Sequence, residues 1–160
     1  RCDPDTSSPG RGPVKLPPLP PLYLVLGLAA IACLHRFLSV LNLLPAALAS
    51  AGIVVAVLGG LLALLGGGAL LRHRTTISFG RSAALITSGI YGRSRNPLYV
   101  AMLLALLGAA LWSRNLVALA LPPLVFLALD KHMIPLEEAK MVAEFGEGYR
   151  AYMARVRRWV

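Results

Sequence analysis

Acidic residues and cysteines are scarce, and long stretches carry no charge at all. The chain has 7 Asp and Glu against 16 Lys and Arg, and charged residues make up 14% of it. Cys2 and Cys33 are the only cysteines, too few for a disulfide framework or a paired-cysteine metal site. The histidines, His35, His73 and His132, show no paired ligand spacing, so no metal is expected. There is no Gly-x-Ser-x-Gly, no His-Glu-x-x-His and no Ser/His/Asp signature, which removes support for hydrolase chemistry. Gly59-Gly60 and Gly66-Gly67-Gly68 lack a following Lys-Ser/Thr, so they are no phosphate loop. Small residues that let helices approach closely account for them better.

What is present is apolar surface. The composition is 57% apolar, with a mean hydropathy of +0.69 and the charges gathered in blocks. An integral membrane protein follows, with one domain at this length. The formal charge of +9 would suggest nucleic acid on a soluble chain. Here the cations flank apolar runs, so membrane lipid is the expected partner and nucleic acid is not.

Residues 1–21 are rich in proline, serine and glycine and read as a disordered or polyproline-like leader before a single domain over 22–160. Leu22–Leu34 would rise only about 20 Å as a helix, short of a bilayer core of about 30 Å. A first span must therefore contain His35 and Arg36 or end near them at an interface. Pro45–Leu71 has no charge and is the clearest span. Pro97–Ser113 and Asn115–Leu129 form a hairpin around Trp112–Asn115, the second arm interrupted by Pro122-Pro123. Arg72, Arg74, Arg81, Arg93 and Arg95 crowd one loop; Arg150, Arg155, Arg157 and Arg158 crowd the C-terminal stretch; Arg114 stands alone in the opposite turn. The positive-inside rule then puts that loop and both ends of the chain in the cytoplasm, with about four spans.

Two polar blocks so reach one membrane face. The first, Thr87–Tyr99, offers Tyr91, Arg93, Arg95, Asn96 and Tyr99; the second offers Glu137, Glu138, Glu144 and Glu147. Asn96-Pro97 reads as a turn opening a helix with proline at its first position. A helix start beside arginines suits an anionic group, and the glutamates suit an ammonium or hydroxyls. A zwitterionic nucleoside cofactor would meet both demands. Ordinary juxtamembrane ion pairing would place the same residues there.

Gly89-Ile90-Tyr91, Arg95-Asn96-Pro97-Leu98-Tyr99, Glu137-Glu138, Phe145-Gly146-x-x-Tyr149-x-x-Tyr152 and Val156-Arg157-Arg158-Trp159, in this order, closely resemble the isoprenylcysteine carboxyl methyltransferase and phospholipid methyltransferase superfamily. The resemblance covers roughly residues 72–160. It implies an all-α polytopic membrane methyltransferase that uses S-adenosylmethionine, with a C-terminal cytoplasmic helical segment completing the cofactor pocket. Arg95, Asn96, Pro97, Tyr99, Glu137 and Glu138 then contact the cofactor or order its pocket, with Gly89 and Tyr91 beside them. Arg95 and Arg157 are expected to steer an anionic acceptor or the cofactor carboxylate, and Glu137 or Glu138 to hold its cationic or hydroxyl groups. Arg95, Glu138 and Arg157 are thus the expected catalytic set.

Two positions depart from the family pattern. Asn96 stands where many members have His and cannot titrate; Ala101 stands where many have Gly and would narrow an approach to the cofactor. The acceptor stays open among a lipophilic carboxylate, an amine and a small thiol. The composition suits a bacterial inner membrane. A non-catalytic scaffold, or a degenerate family member binding anionic lipid, is the alternative.

Overall fold

In the computed structural model, residues 20–72 and 85–160 are described. Most of the expected leader, together with His73, Arg74 and Arg81, lies outside them. Helix α1 (Pro20–Phe37) already takes in Pro20 and Pro21, the last two residues assigned to that leader. A first helical turn tolerates proline because its N–H would have no partner there. α1 ends with His35 and Arg36 in its last turn, so these polar residues mark a helix end and not a helix middle.

α2 (Ala46–Arg72) is continuous and apolar over 27 residues, about 40 Å of helix. α3 (Pro97–Ser113) begins at Pro97 as the turn chemistry predicts. After it, Val117–Phe145 forms one long helical segment where the prolines predict a break. A 3₁₀ turn at Val117–Ala120 leads into α4 (Leu121–Ala128). That places Pro122 and Pro123 in the first turn of α4, where they cost least. A wide π turn at Leu129–Met133 then precedes α5 (Ile134–Phe145). Pro135 lacks an N–H and its ring would strike the carbonyl four residues back, so the added residue relieves the clash. Gly146, at φ 55° and ψ −127°, turns the chain into α6 (Glu147–Arg155). No strand occurs among the described residues.

Neighbouring segments run antiparallel. Gly52 on α2 faces Gly108 and Trp112, and Gly66 faces Leu98 at the other end of α3. A Cβ on Gly59 would sit 2.8 Å from the Ala101 carbonyl oxygen, while one on Gly60, Gly67 or Gly68 would meet nothing within 4 Å. Close approach therefore belongs to Gly52, Gly59 and Gly66, one stripe of the helix. It also gives Ala101 a role in helix packing, since its carbonyl abuts α2. The buried core between α1, α3 and the long segment includes Ile31, Met102, Leu106, Ala118, Leu129 and Met133.

The ends of α3 are polar and its middle is not. At one end, fully buried Asn115 donates to the carbonyls of Leu34 (3.3 Å) and Leu38 (3.0 Å), and its own oxygen accepts the amides of Val117 (3.0 Å) and Ala118 (3.3 Å). His35 Nδ1 lies 2.9 Å from the Ser113 carbonyl oxygen, and Arg114 Nε donates to the Leu44 carbonyl at 2.8 Å. The loop between α1 and α2 is thereby clamped to the turn after α3. Two segments, Ala46–Arg72 and Val117–Phe145, are long and apolar enough to cross a membrane. Only 11% of the most apolar window of α2 is buried within the chain, whereas the core helix of a soluble protein hides most of itself. Ile53, Val57, Leu61, Leu64 and Leu65 face outward, so lipid is the environment that this face fits.

Candidate functional site

The other end of α3 holds a charged cluster contributed by four pieces of chain. The segment before α3 brings Arg95 and Asn96, α3 brings Tyr99, the long segment brings Asp130, Glu137 and Glu138, and an extended stretch after α6 brings Arg158 and Trp159. Arg95 Nη1 lies 3.1 Å from Glu138 Oε1, both side chains being nearly buried at 11% and 14% exposure. Arg158 grips the same carboxylate twice, Nη2 to Oε2 at 2.7 Å and Nε to Oε1 at 3.2 Å. It also reaches Asp130 Oδ1 at 3.3 Å, which accepts the Trp159 indole N–H at 3.0 Å. The π turn presents Asp130 to these two donors. Tyr99 donates to Glu137 Oε1 at 2.8 Å.

Backbone contacts fix the arrangement. The Arg95 amide donates to the Arg157 carbonyl at 3.0 Å, and Asn96 Nδ2 donates to the Arg158 carbonyl at 2.9 Å. Asn96 therefore spends its side chain on the C-terminal stretch and does not cap α3. Pro97 is buried beneath it. Tyr91 accepts the Tyr152 hydroxyl on its carbonyl oxygen at 2.6 Å, and its own hydroxyl points to the Gly66 carbonyl at 3.5 Å. Leu85, Met141 and Phe145 pack with Tyr149, Tyr152 and Val156 into a small second core under the cluster.

Not every expected site residue enters the cluster. Gly89 is exposed at φ 62°, with nothing within 4 Å of an added Cβ. Arg157 contributes its carbonyl while its side chain is exposed; the inward arginine is its neighbour Arg158. Glu144 and Glu147 are exposed, and Glu147 pairs with Arg150 on the outer face of α6. Asp130, Arg158 and Trp159 are not among the site residues expected from the sequence, although Arg158 and Trp159 belong to its last motif. An aromatic residue beside twin arginines at the end of the motif series was the one available signal.

Burial pushes the Tyr91 and Tyr152 hydroxyls up to about 12. Both are proton donors at neutral pH and neither is a base. Their folded values exceed the ordinary 10.0, so the protonated forms favour folding below pH 10 and that contribution disappears as pH rises through the folded value. Helix loss and tyrosinate absorbance are expected to appear together between about pH 10 and 12, and Tyr152→Phe to move helix loss to higher pH. A helix signal unchanged through full tyrosine ionisation would contradict this coupling.

Beside these contacts, two atoms of Arg95, Nε and Nη1, are buried and have no directed hydrogen bond among the described residues. The Nη1 contact with Glu138 is a charge pairing at 3.1 Å without good hydrogen-bond geometry. A buried guanidinium with donors to spare is costly unless something accepts from them. A ligand carboxylate has the matching charge and shape. Glu138, in contact with Arg95, and its neighbour Glu137 accept from cations and hydroxyls. The residues therefore fit a zwitterionic ligand that carries a carboxylate beside an ammonium or hydroxyls. No group of three or more metal-ligating side chains occurs among the described residues.

Comparison with known proteins gives three matches. The profile of a family described as phospholipid methyltransferase matches residues 47–148, more than half of the chain and all of the cluster except its C-terminal stretch. A protein-S-isoprenylcysteine O-methyltransferase of Schizosaccharomyces pombe is 36% identical over 72 residues, 45% of this chain and 30% of that protein. A Haemophilus influenzae protein described as uncharacterized is 35% identical over 63 residues, 39% of this chain and 100% of its own length. The chain thus spans less than a third of the yeast relative.

Proposed function

Because the chain belongs to the phospholipid methyltransferase family, a family of membrane methyltransferases related to the isoprenylcysteine enzymes, we propose that it is an S-adenosylmethionine-dependent methyltransferase whose cofactor site is the cluster around Arg95 and Glu138. The observation that carries this reading is the nearly buried Arg95 guanidinium, whose Nε has no hydrogen-bond partner among the described residues, set beside the twin carboxylates, of which Glu138 lies 3.1 Å from Nη1. Arg95 receives the cofactor carboxylate; Glu138, with Glu137 held in place by Tyr99, receives its ammonium or ribose hydroxyls. Asn96 and the Arg95 amide hold the C-terminal stretch in place, and Pro97 starts α3 at the cluster's edge. When bound, S-adenosylmethionine supplies a methyl group already activated on a sulfonium. The protein's contribution is then orientation and exclusion of water.

The acceptor is a lipophilic or small molecule carrying a carboxylate, amine or thiol. An apolar groove of about 350 Å³ between α3 and α4, lined by Leu103, Leu107, Pro122, Phe126 and Trp159 among others, supports entry sideways from the lipid. All four helical segments cross the membrane in this reading. The exposed Arg93, Arg155 and Arg157 beside the cluster support a cytoplasmic face there, which in a bacterial inner membrane is the inner leaflet.

Detergent-purified protein is expected to bind S-adenosylmethionine saturably in calorimetry. Arg95→Ala should weaken binding by at least about tenfold, because a charged partner is lost in a nearly buried site. Membranes incubated with methyl-labelled cofactor should yield a labelled product that identifies the acceptor. Undiminished binding by Arg95→Ala would move the site elsewhere. No saturable binding, with salt-sensitive association with anionic lipid, would instead establish the non-catalytic scaffold.

A further inference from the structure

The residues after α6 form an extended strap, entered at Val156 with φ −116° and ψ 130°. One segment of five residues touches two different places. Arg158 occupies both oxygens of Glu138 (2.7 and 3.2 Å), the carboxylate assigned above to the cofactor. Trp159 and Val160 line the end of the apolar groove between α3 and α4, where the Trp159 ring packs on Phe126 at 4.7 Å. Asp130 joins the two, since its Oδ1 accepts from Arg158 (3.3 Å) and from the Trp159 indole (3.0 Å).

Glu138 is crowded with donors. Its Oε1 faces Arg95 Nη1 and Arg158 Nε, and its Oε2 faces Arg158 Nη2. That leaves about one of the roughly four lone-pair sites of the carboxylate, so an incoming ammonium with several N–H donors competes with Arg158. Of the two arginines, Arg95 is 11% exposed and would be left as a buried charge, whereas Arg158 is 34% exposed and has Asp130 and water to fall back on. Arg158 is therefore the partner that can leave cheaply. Asp130 Oδ2 already faces Lys131 Nζ at 3.4 Å, so Arg158 swinging wholly onto Asp130 crowds Oδ1, the oxygen that holds the Trp159 indole.

We propose that Arg158 is a displaceable placeholder at Glu138, so that filling the cofactor site releases Arg158 onto Asp130, frees Trp159 and opens the apolar groove to the acceptor. The proposal rests on the cofactor reading of the cluster and adds to it a device in the strap that couples the site to the groove. It makes Arg158 a positioning residue that opposes cofactor binding in the resting protein.

The test uses the 160-residue chain in detergent carrying Trp112→Phe, which leaves Trp159 as the one indole of these 160 residues; Trp112 belongs to the opposite end of α3. Titration with S-adenosylmethionine should red-shift Trp159 emission with the midpoint found by calorimetry. Arg158→Gln should bind the cofactor about three- to tenfold tighter, the worth of a partly exposed ion pair, and should show the shifted emission before any cofactor is added. Calorimetric binding with unchanged Trp159 emission, or equal or weaker binding by folded Arg158→Gln, overturns the placeholder and leaves the cofactor site standing. Absence of saturable binding to the unsubstituted protein overturns both.

Discussion

Glu138→Ala is expected to abolish saturable cofactor binding and to lower thermal stability in the same protein. The two losses share a cause. Arg95 is nearly buried against this carboxylate, and removing one member of such a pair leaves the other charge uncompensated, at a cost of about 3–5 kcal/mol. Arg158 is more exposed and keeps Asp130, so its share of that cost is small. Glu138→Gln should recover much of the lost stability, because the amide oxygen still accepts a hydrogen bond, but little of the binding, because the charge is gone. Thermal melts followed by circular dichroism, paired with calorimetry on the same preparations, separate the two effects. A Glu138→Ala protein that melts and binds like the unsubstituted one would remove this carboxylate from any central role.

Gly108→Val is expected to prevent α2 and α3 from packing. A Cβ at Gly108 would lie 2.6 Å from both the Ala56 amide nitrogen and the Gly52 carbonyl oxygen. These are backbone atoms of a rigid helix, so relief requires the helices to separate along their contact. The dispersion contacts and close approach that hold helices together in lipid are then lost. The loss should exceed about 3 kcal/mol, beyond usual overpacking, enough to leave little folded protein. Gly60→Ala is the matched control: it sits on α2, the partner helix, with nothing within 4 Å and should be neutral or slightly stabilising through helix propensity. Monodisperse yield in detergent and resistance to limited proteolysis report both variants. Equal yields would show that the glycine stripe is incidental.

The sequence alone carried the apolar segments, the helix start at Pro97 and the two polar blocks, because each depends on local composition or on proline chemistry. It did not show where the long second arm ends. Pro122 and Pro123 read as a break, yet a preceding 3₁₀ turn puts them where missing amides cost nothing. The choice between Arg157 and Arg158 was equally beyond reach. Adjacent side chains on an extended strap point to different sides, and which one faces inward depends on the carbonyl register set by Arg95 and Asn96. Asp130 was hidden for a related reason: a π turn shifts every following side chain around the helix, so a regular period misplaces it. The glycine runs, by contrast, held a readable signal. Gly52, Gly59 and Gly66 keep one spacing, and the residues in contact are the ones that obey it.

That spacing limits how the protein can vary in length. Each residue turns a helix by about 100°, so one inserted or deleted between Gly59 and Gly66 would rotate half the stripe off α3 and leave bulky side chains in its place. Changes of a whole two-turn repeat are the ones that preserve the seam. Thickening or thinning the lipid-spanning part of this chain is thus quantised, and the charged end of α3 can be raised or lowered relative to the bilayer only in steps of roughly 10 Å.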